Sequence, residues 1–476
     1  MLFNSIDFLI FFAVITTAYF ALPHKYRWML LLAASCWFYM AFVPIYILIL
    51  GFTIVVDYFA GIWLEDTQGK RKKIFLIASL VANIGVLAFF KYYNFLNDNL
   101  TTLLYGIGYK NPIPYLNILL PIGLSFHTFQ AMSYTIEVYR GKQKAERHFG
   151  IYALYVMFYP QLVAGPIERP QNLLHQFYEK HQFDYDRVTS GLKLMLWGFF
   201  KKIVIADRLA IYVNYAFDKY DTASGQTLLV AAIFFSIQMY CDFSGYSDIA
   251  IGSARVMGFK LMTNFKRPMF ARTTSEFWQR WHISLSTWFK DYLYFPLGGN
   301  RVPIPRWYFN LMMVFLISGL WHGSNWTFVV WGAINGAYVL IGIMTKKYRG
   351  KFNKLIGLDK IPWLMTLIDI AVVFILVFLV RVFFRAETIS QAMVVLKRIF
   401  TFSGPVWFEN PSMILFSFFS IFVLIAVEWK QEFYKGKFSI LNNENRIIRR
   451  LAYATMVILI LLLGVFDGGQ FIYFQF

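Results

Sequence analysis

Long apolar stretches recur along the whole of this 476-residue chain, and that recurrence constrains its fold more than any motif. They lie near 6–22, 28–43, 46–64, 74–95, 116–136, 150–166, 226–250, 307–322, 324–345, 363–385, 411–429 and 450–466. A helix of about 17–25 apolar residues crosses the hydrocarbon core of a bilayer. Inside that core each backbone N–H and C=O must be satisfied within the segment, which leaves the helix as the form such a run can take. The expectation is an all-α polytopic membrane protein with about 11–13 transmembrane helices. A further piece at 190–206 is interrupted by Lys201, Lys202 and Asp207 and reads as re-entrant or interfacial. Pro160, Gly165 and Pro166 punctuate another apolar stretch and suggest a broken helix or re-entrant turn, tolerated only where it is buried in protein or lines a cavity. With 58 % hydrophobic and only 15 % charged residues, a soluble enzyme is excluded.

The net charge of +19 would suggest nucleic acid in a soluble protein. Here the cations alternate with the spans: Lys25 and Arg27, Lys70 to Lys73, then Arg140, Lys142, Lys144 and Arg147, and later Lys346 to Lys354. That alternation follows the rule that basic loops stay in the cytoplasm. It places the N-terminus outside, makes the lipid bilayer the partner of the charge, and argues against nucleic acid. The N-terminal run lacks a basic leader and a small-residue cleavage site, so it reads as an uncleaved first span. Cys36 and Cys241, both in apolar sequence, offer neither a disulfide framework nor a metal cluster, and no bound cofactor or metal is expected. The chain reads as a single integral-membrane domain over 1–476.

Between 307 and 345 one titratable residue, His322, sits in the middle of membrane-grade sequence. An ionisable group at such depth is expensive and marks a functional site by default. On a helix Phe315, Ser318, Gly319 and His322 share a stripe, whose two small residues leave room for a ligand or another helix, and Trp321 and Trp326 are placed to wall that space. The plainer alternative is a core histidine bonded to a carbonyl between packed helices.

A second signal lies in 251–306, a cytoplasmic or interfacial segment by the charge phase. Thr273 and Glu276 have capping-box spacing, and the sequence that follows has helical periodicity, with Trp278, His282, Leu285 and Phe289 on one stripe and Trp281 beside it. Arg255, Lys260, Lys266, Arg267, Arg272, Arg301 and Arg306 surround it. Such a segment serves as an anchor to anionic lipid, but a histidine on its apolar face is not needed for anchoring. Asp242 and Asp248, six residues apart with Ser244 and Gly245 between them, suggest a helix break. They orient a histidine or line a substrate path, or else pair with Arg255 or another buried cation. His127 is a second-tier candidate against a helix-packing role, and His24, His148, His175 and His181 fall in charged loops.

The runs from Phe277 through His282 to Arg301, and Ser318-Gly-Leu-Trp-His322-Gly, resemble the two signature blocks of the membrane-bound O-acyltransferase family. Further matching stretches are Gly123 to Gln130, Pro160 to Ile167, Tyr240 to Asp248, Arg381 to Ala386 and Phe471 to Phe476. Within that family the chain is most similar to the branch serving cell-surface polysaccharides. The resemblance implies transfer of an acyl group from a cytoplasmic donor to a hydroxyl, through a central tunnel across the membrane of a bacterial cell. His322 matches the essential histidine and His282 the second signature position. Candidate tunnel or donor residues are Trp321, Trp281, Trp278, His127, Asp242, Asp248, Arg267 and Arg272. The implied donor is acetyl-CoA or an acyl carrier protein, and the implied partner is a separate periplasmic or extracellular acyltransferase. The acceptor stays open among exopolysaccharide, peptidoglycan and teichoic acid.

The chemistry fits the residues taken by themselves. Neutral imidazole, with a pKa of about 6.5, suits removal of a hydroxyl proton. Oxyanion donors could be a backbone N–H near Gly323, an indole such as that of Trp321, or His282. A covalent intermediate on histidine or on Ser324 is a further option. The rival class is a transporter or flippase, since intramembrane histidines also mark substrate pathways; thioester turnover separates the two. A catalytically idle scaffold is the third reading.

Overall fold

The computed structural model describes residues 1–117, 120–163, 165–434, 443 and 445–466, so the matching stretch Phe471–Phe476 lies outside the described residues. The chain is 77 % helical, with no strand among the described residues. Among the described residues, six helices are long and apolar enough to cross a membrane: Pro44–Asp66, Gly69–Gly106, Gly225–Met257, Trp326–Met344, Pro362–Arg385 and Pro411–Phe433. Helices also form at other expected spans, among them Ile6–Ala21, His24–Met40, Leu124–Tyr139, Ile304–His322 and Arg446–Leu463. The protein is an all-α polytopic membrane protein.

Contacts divide it into two compact units, Met1–Met195 with Ile249–Met262, and Leu196–Asp248 with Thr263 onward. In the first unit a polar knot closes the helices on one another. Asp57 accepts from Ser79 Oγ at 2.6 Å and from Asn83 Nδ2 at 2.9 Å, all three buried. The expected span at 150–166 is not one helix. It breaks into Phe149–Met157 and Tyr159–Leu162, because Pro160 opens the second piece and cannot donate to the first. The break is buried, and its polar groups are met by protein: Tyr159 N–H reaches Ser35 Oγ at 3.0 Å and Gln161 Nε2 reaches the Tyr155 carbonyl at 2.8 Å.

Two further expectations are corrected. Lys201, Lys202 and Asp207 do not interrupt the chain, which stays helical through a π-wound stretch at Phe200–Ala206. Nor is there a break at Ser244 and Gly245, since Gly225–Met257 is one 33-residue helix. Gly245 instead allows close crossing: a Cβ there would lie 2.8 Å from the Gly198 carbonyl oxygen. Across this contact Lys202 bridges Asp242 and Asp207, each at 2.7 Å, while Lys201 meets Asp248 at 2.6 Å. The two aspartates therefore pair with lysines of the neighbouring helix rather than with Arg255. Buried charges of both signs persist only with such partners.

Ile304–His322 and Trp326–Met344 form an antiparallel pair through small residues. A Cβ on Gly319 would lie 2.3 Å from the Phe328 carbonyl oxygen, and one on Gly332 2.4 Å from that of Phe315. The turn between them is held by Asn325, which accepts from Thr327 N–H at 3.0 Å and donates to the Glu387 carbonyl at 2.8 Å.

Candidate active site

His322 is the last residue of its helix, followed by extended Gly323. Its ring is buried in a cage of aromatic edges. Trp321 lies at 4.9 Å, Trp331 at 5.1 Å and Phe384 at 5.3 Å between ring centroids, with interplanar angles of 68–83°. The stripe read from the sequence divides its labour. Gly319 admits the neighbouring helix, whereas Phe315, Ser318 and His322 face a cavity. Trp326 is 53 % exposed and walls nothing here, because it opens its helix at the turn.

The segment carrying His282 is not the continuous helix its periodicity predicts. It forms Thr274–Arg280 and Ile283–Phe289, with His282 between them at φ 44, ψ 55 in the left-handed region. The capping-box expectation holds by half. Thr273 Oγ1 accepts from Glu276 N–H at 3.0 Å, but the Glu276 carboxylate reaches Arg272 N–H and Arg280 instead of Thr273. The corner has a cause in Asn264. Its carbonyl accepts from Ile283 N–H at 2.9 Å and its Oδ1 from Ser284 Oγ at 2.9 Å, while its Nδ2 donates to Ser247 Oγ at 3.1 Å. A straight helix could not make those bonds.

The corner turns the imidazole inward, 1 % exposed, against Phe243 at 4.5 Å and Phe265 at 6.3 Å. Burial pushes its pKa down to about 3, so the ring is neutral at physiological pH. Trp321 packs against both histidines, 6.2 Å from the ring of His282. Both imidazoles line one cavity of about 130 Å³, together with Trp278, Trp281, Ser286 and Ser318.

Other expected site residues fall elsewhere. Arg267 is drawn to Glu432 at 2.8 Å, a carboxylate shared with Arg280 at 2.9 Å, whereas Arg272 is exposed. Asp242 and Asp248 belong to the lysine pairs described above and do not line the cavity. His127 lies in the first unit on Leu124–Tyr139, buried and edge-on to Tyr39 at 5.9 Å. His24 and His181 are half-buried, bonded to the carbonyls of Tyr178 and Gln176, while His148 and His175 are exposed.

Sequence reading missed Asn264 and Trp331 and left Arg381 and Phe384 only as part of a matching run. Arg381 had the better signal, since a cation within an apolar span is as conspicuous as His322. Asn264 gave no sign of its own, for it acts through residues 17 to 20 positions away.

An imidazole at a cavity walled largely by aromatic rings, with hydroxyls and indoles beside it, can remove a proton from an alcohol. Residues 145–386 match the model of the MBOAT, membrane-bound O-acyltransferase family. The chain is 36 % identical over 405 residues to the protein named "Probable alginate O-acetylase AlgI" of Pseudomonas aeruginosa, covering 84 % of this chain and 75 % of that one. It is 36 % identical over 405 residues to a peptidoglycan O-acetyltransferase of Helicobacter pylori, covering 79 % and 74 %. To a teichoic acid D-alanyltransferase of Bacillus subtilis it is 25 % identical over 251 residues, covering 50 % and 62 %.

Proposed function

The chain belongs to the membrane-bound O-acyltransferase family, and from that premise we propose that it passes an acetyl group from a cytoplasmic thioester to hydroxyls of a cell-surface polysaccharide, with His322 as general base. One observation carries the reading: His322 and His282, 40 positions apart in sequence, line a single cavity walled by tryptophans. A neutral imidazole beside such a space takes the acceptor proton as the oxygen attacks the acyl carbon. His282, neutral and fixed at its corner, serves as a hydrogen-bonding partner to substrate rather than as a charge. The relatives in which alginate or peptidoglycan is named favour a polysaccharide acceptor and acetyl as the group moved.

Acetyl-CoA is the proposed donor, with an acyl carrier protein as the alternative. Arg272, exposed on the segment that carries His282, supports recognition of donor phosphate; Arg267, held by Glu432, supports it less. The proposed setting is the inner membrane of a bacterium, N-terminus outside, delivering to a separate acyltransferase beyond the membrane.

Purified protein in proteoliposomes, given acetyl-CoA and an oligosaccharide acceptor, should release free CoA and form acetyl ester. Arg272→Glu should raise the donor KM more than it lowers kcat. Transport of polysaccharide without thioester cleavage would replace this reading with a flippase.

A further inference from the structure

The ring of His322 borders two spaces, and a base acting on a hydroxyl accounts for only one of them. The larger is shared with His282. The smaller, about 10 Å³, is closed by Trp281, Trp331, Asn335, Arg381 and Phe384. Such a volume takes about one water or one oxygen atom.

Its walls are mainly apolar, yet Trp331 and Arg381 among them carry N–H donors. Trp331 is 5 % exposed and its Nε1–H has no hydrogen-bond partner among the described residues. A buried donor in that condition calls for a physical reason. Arg381 is 3 % exposed, with Nη1 2.7 Å from the Ser236 carbonyl and its guanidinium 4.4 Å from the centroid of the Trp281 ring. Backbone and ring thus hold the cation in place without solvent. Asn335 Nδ2 donates to the Trp331 carbonyl at 2.8 Å and stiffens the same turn of helix.

We propose that this small space is the oxyanion site of the acyl transfer, with the Trp331 indole N–H and the Arg381 guanidinium as its donors. The inference rests on the acyl-transfer reading above. As the hydroxyl proton passes to His322, the hydroxyl oxygen bonds the thioester carbon and the carbonyl π pair moves onto the carbonyl oxygen. That oxygen enters the space beside Trp331 and Arg381. Collapse re-forms C=O, breaks C–S and expels the thiolate, which takes the proton back from His322. Donors already fixed in a water-excluded site stabilise the charge without reorganising. Of the oxyanion donors considered from the sequence, Trp321 and Gly323 do not border this space.

Trp331→Phe keeps an aromatic ring, a smaller one, and removes the N–H. Full-length protein in proteoliposomes, assayed with acetyl-CoA and an oligosaccharide acceptor, should lose about 10²- to 10³-fold in kcat. Its donor KM and its equilibrium binding of acetyl-CoA should stay within about twofold of the wild type. Arg381→Lys, which keeps the charge but not the fork, should show the same split more weakly and serves if the first variant does not accumulate. Unchanged kcat in Trp331→Phe, or kcat and donor binding falling together, overturns the oxyanion assignment while wild-type turnover leaves the acyl-transfer reading intact. No thioester turnover by the wild type sinks that reading and this inference with it.

Discussion

His322 and His282 border the same cavity and are held there by opposite means. His322 ends a regular helix, its backbone is ordinary, and three aromatic rings fix its side chain. His282 occupies a left-handed corner that costs a residue with a Cβ about 1–2 kcal/mol, and the bonds to Asn264 maintain it. The difference teaches what each arrangement secures. A helix end caged by rings places its group on an unstrained backbone, so changing that group leaves the frame standing. A strained corner places a side chain where a continuing helix would have carried it away, and it fails with its hydrogen bonds. Strain of this kind persists only where surrounding structure over-determines it, and it gathers at functional sites.

The largest expected effect separates the two at the level of chemistry. Removing a positioned general base lowers rate by about 10²- to 10⁴-fold. His322→Ala should therefore abolish polymer acetylation in cells while the protein still inserts and accumulates, since the helix around it is secured by the Gly319 and Gly332 contact. His282→Ala should be impaired less. Acetyl-ester content of the cell-surface polymer, with protein level measured alongside, decides this; wild-type ester in the His322→Ala strain would refute the base assignment.

Next comes the frame of the corner. Asn264→Ala leaves the buried Ser284 hydroxyl and N–H and the Ser247 hydroxyl without their amide partner, at a cost of about 1–3 kcal/mol. Thermal unfolding in detergent should show that loss, and turnover of the surviving protein should fall by roughly tenfold as His282 leaves its place. A variant as stable and active as the wild type would mean that the corner holds itself.

The same contrast explains what could be read in the sequence. The buried, cavity-lining position of His322 was legible because helix period, small residues and an ionisable group in an apolar run all act within four turns. The broken helix near Pro160 was legible for a similar local reason. The corner at His282 was not, since 274–289 has sound helical periodicity and the force that breaks it comes from Asn264, an unremarkable polar residue upstream. Gly245 misled in the other direction: glycine reads as a break, but here it admits a neighbouring backbone. The lysines at 201 and 202 looked like the end of an apolar stretch because Asp248 and Asp242, which pair with them, come from a different helix.

Backbone preference gives a finer test. At 282 glycine suits φ 44, so His282→Gly should be more stable than His282→Ala by about 1 kcal/mol. At 322 the order should reverse, with glycine about 0.5–1 kcal/mol below alanine. Unfolding temperatures of the four variants measure both differences. Equal values at 282 would mean that the corner relaxes once its side chain is gone.

The smallest effect is a pH dependence belonging to one histidine and not to the whole protein. The folded pKa of His282 is held by burial at about 3, against about 6.5 in an unfolded chain. As pH falls through 6.5 the unfolded chain binds a proton that the folded one refuses. The stability is thus fully present above about 6.5 and declines progressively toward 3. Between pH 7 and pH 6 the loss from this one group is about 0.7 kcal/mol. His282→Gln cannot bind that proton, so its stability should fall less than that of the wild type over this interval by the same amount. The pH–rate profile above about pH 5 should meanwhile show no inflection from His282, because the folded ring stays neutral there. Parallel stability curves for wild type and His282→Gln would mean that solvent reaches the corner, which would remove the distinction between a ring fixed by hydrogen-bonded strain and one caged by its neighbours.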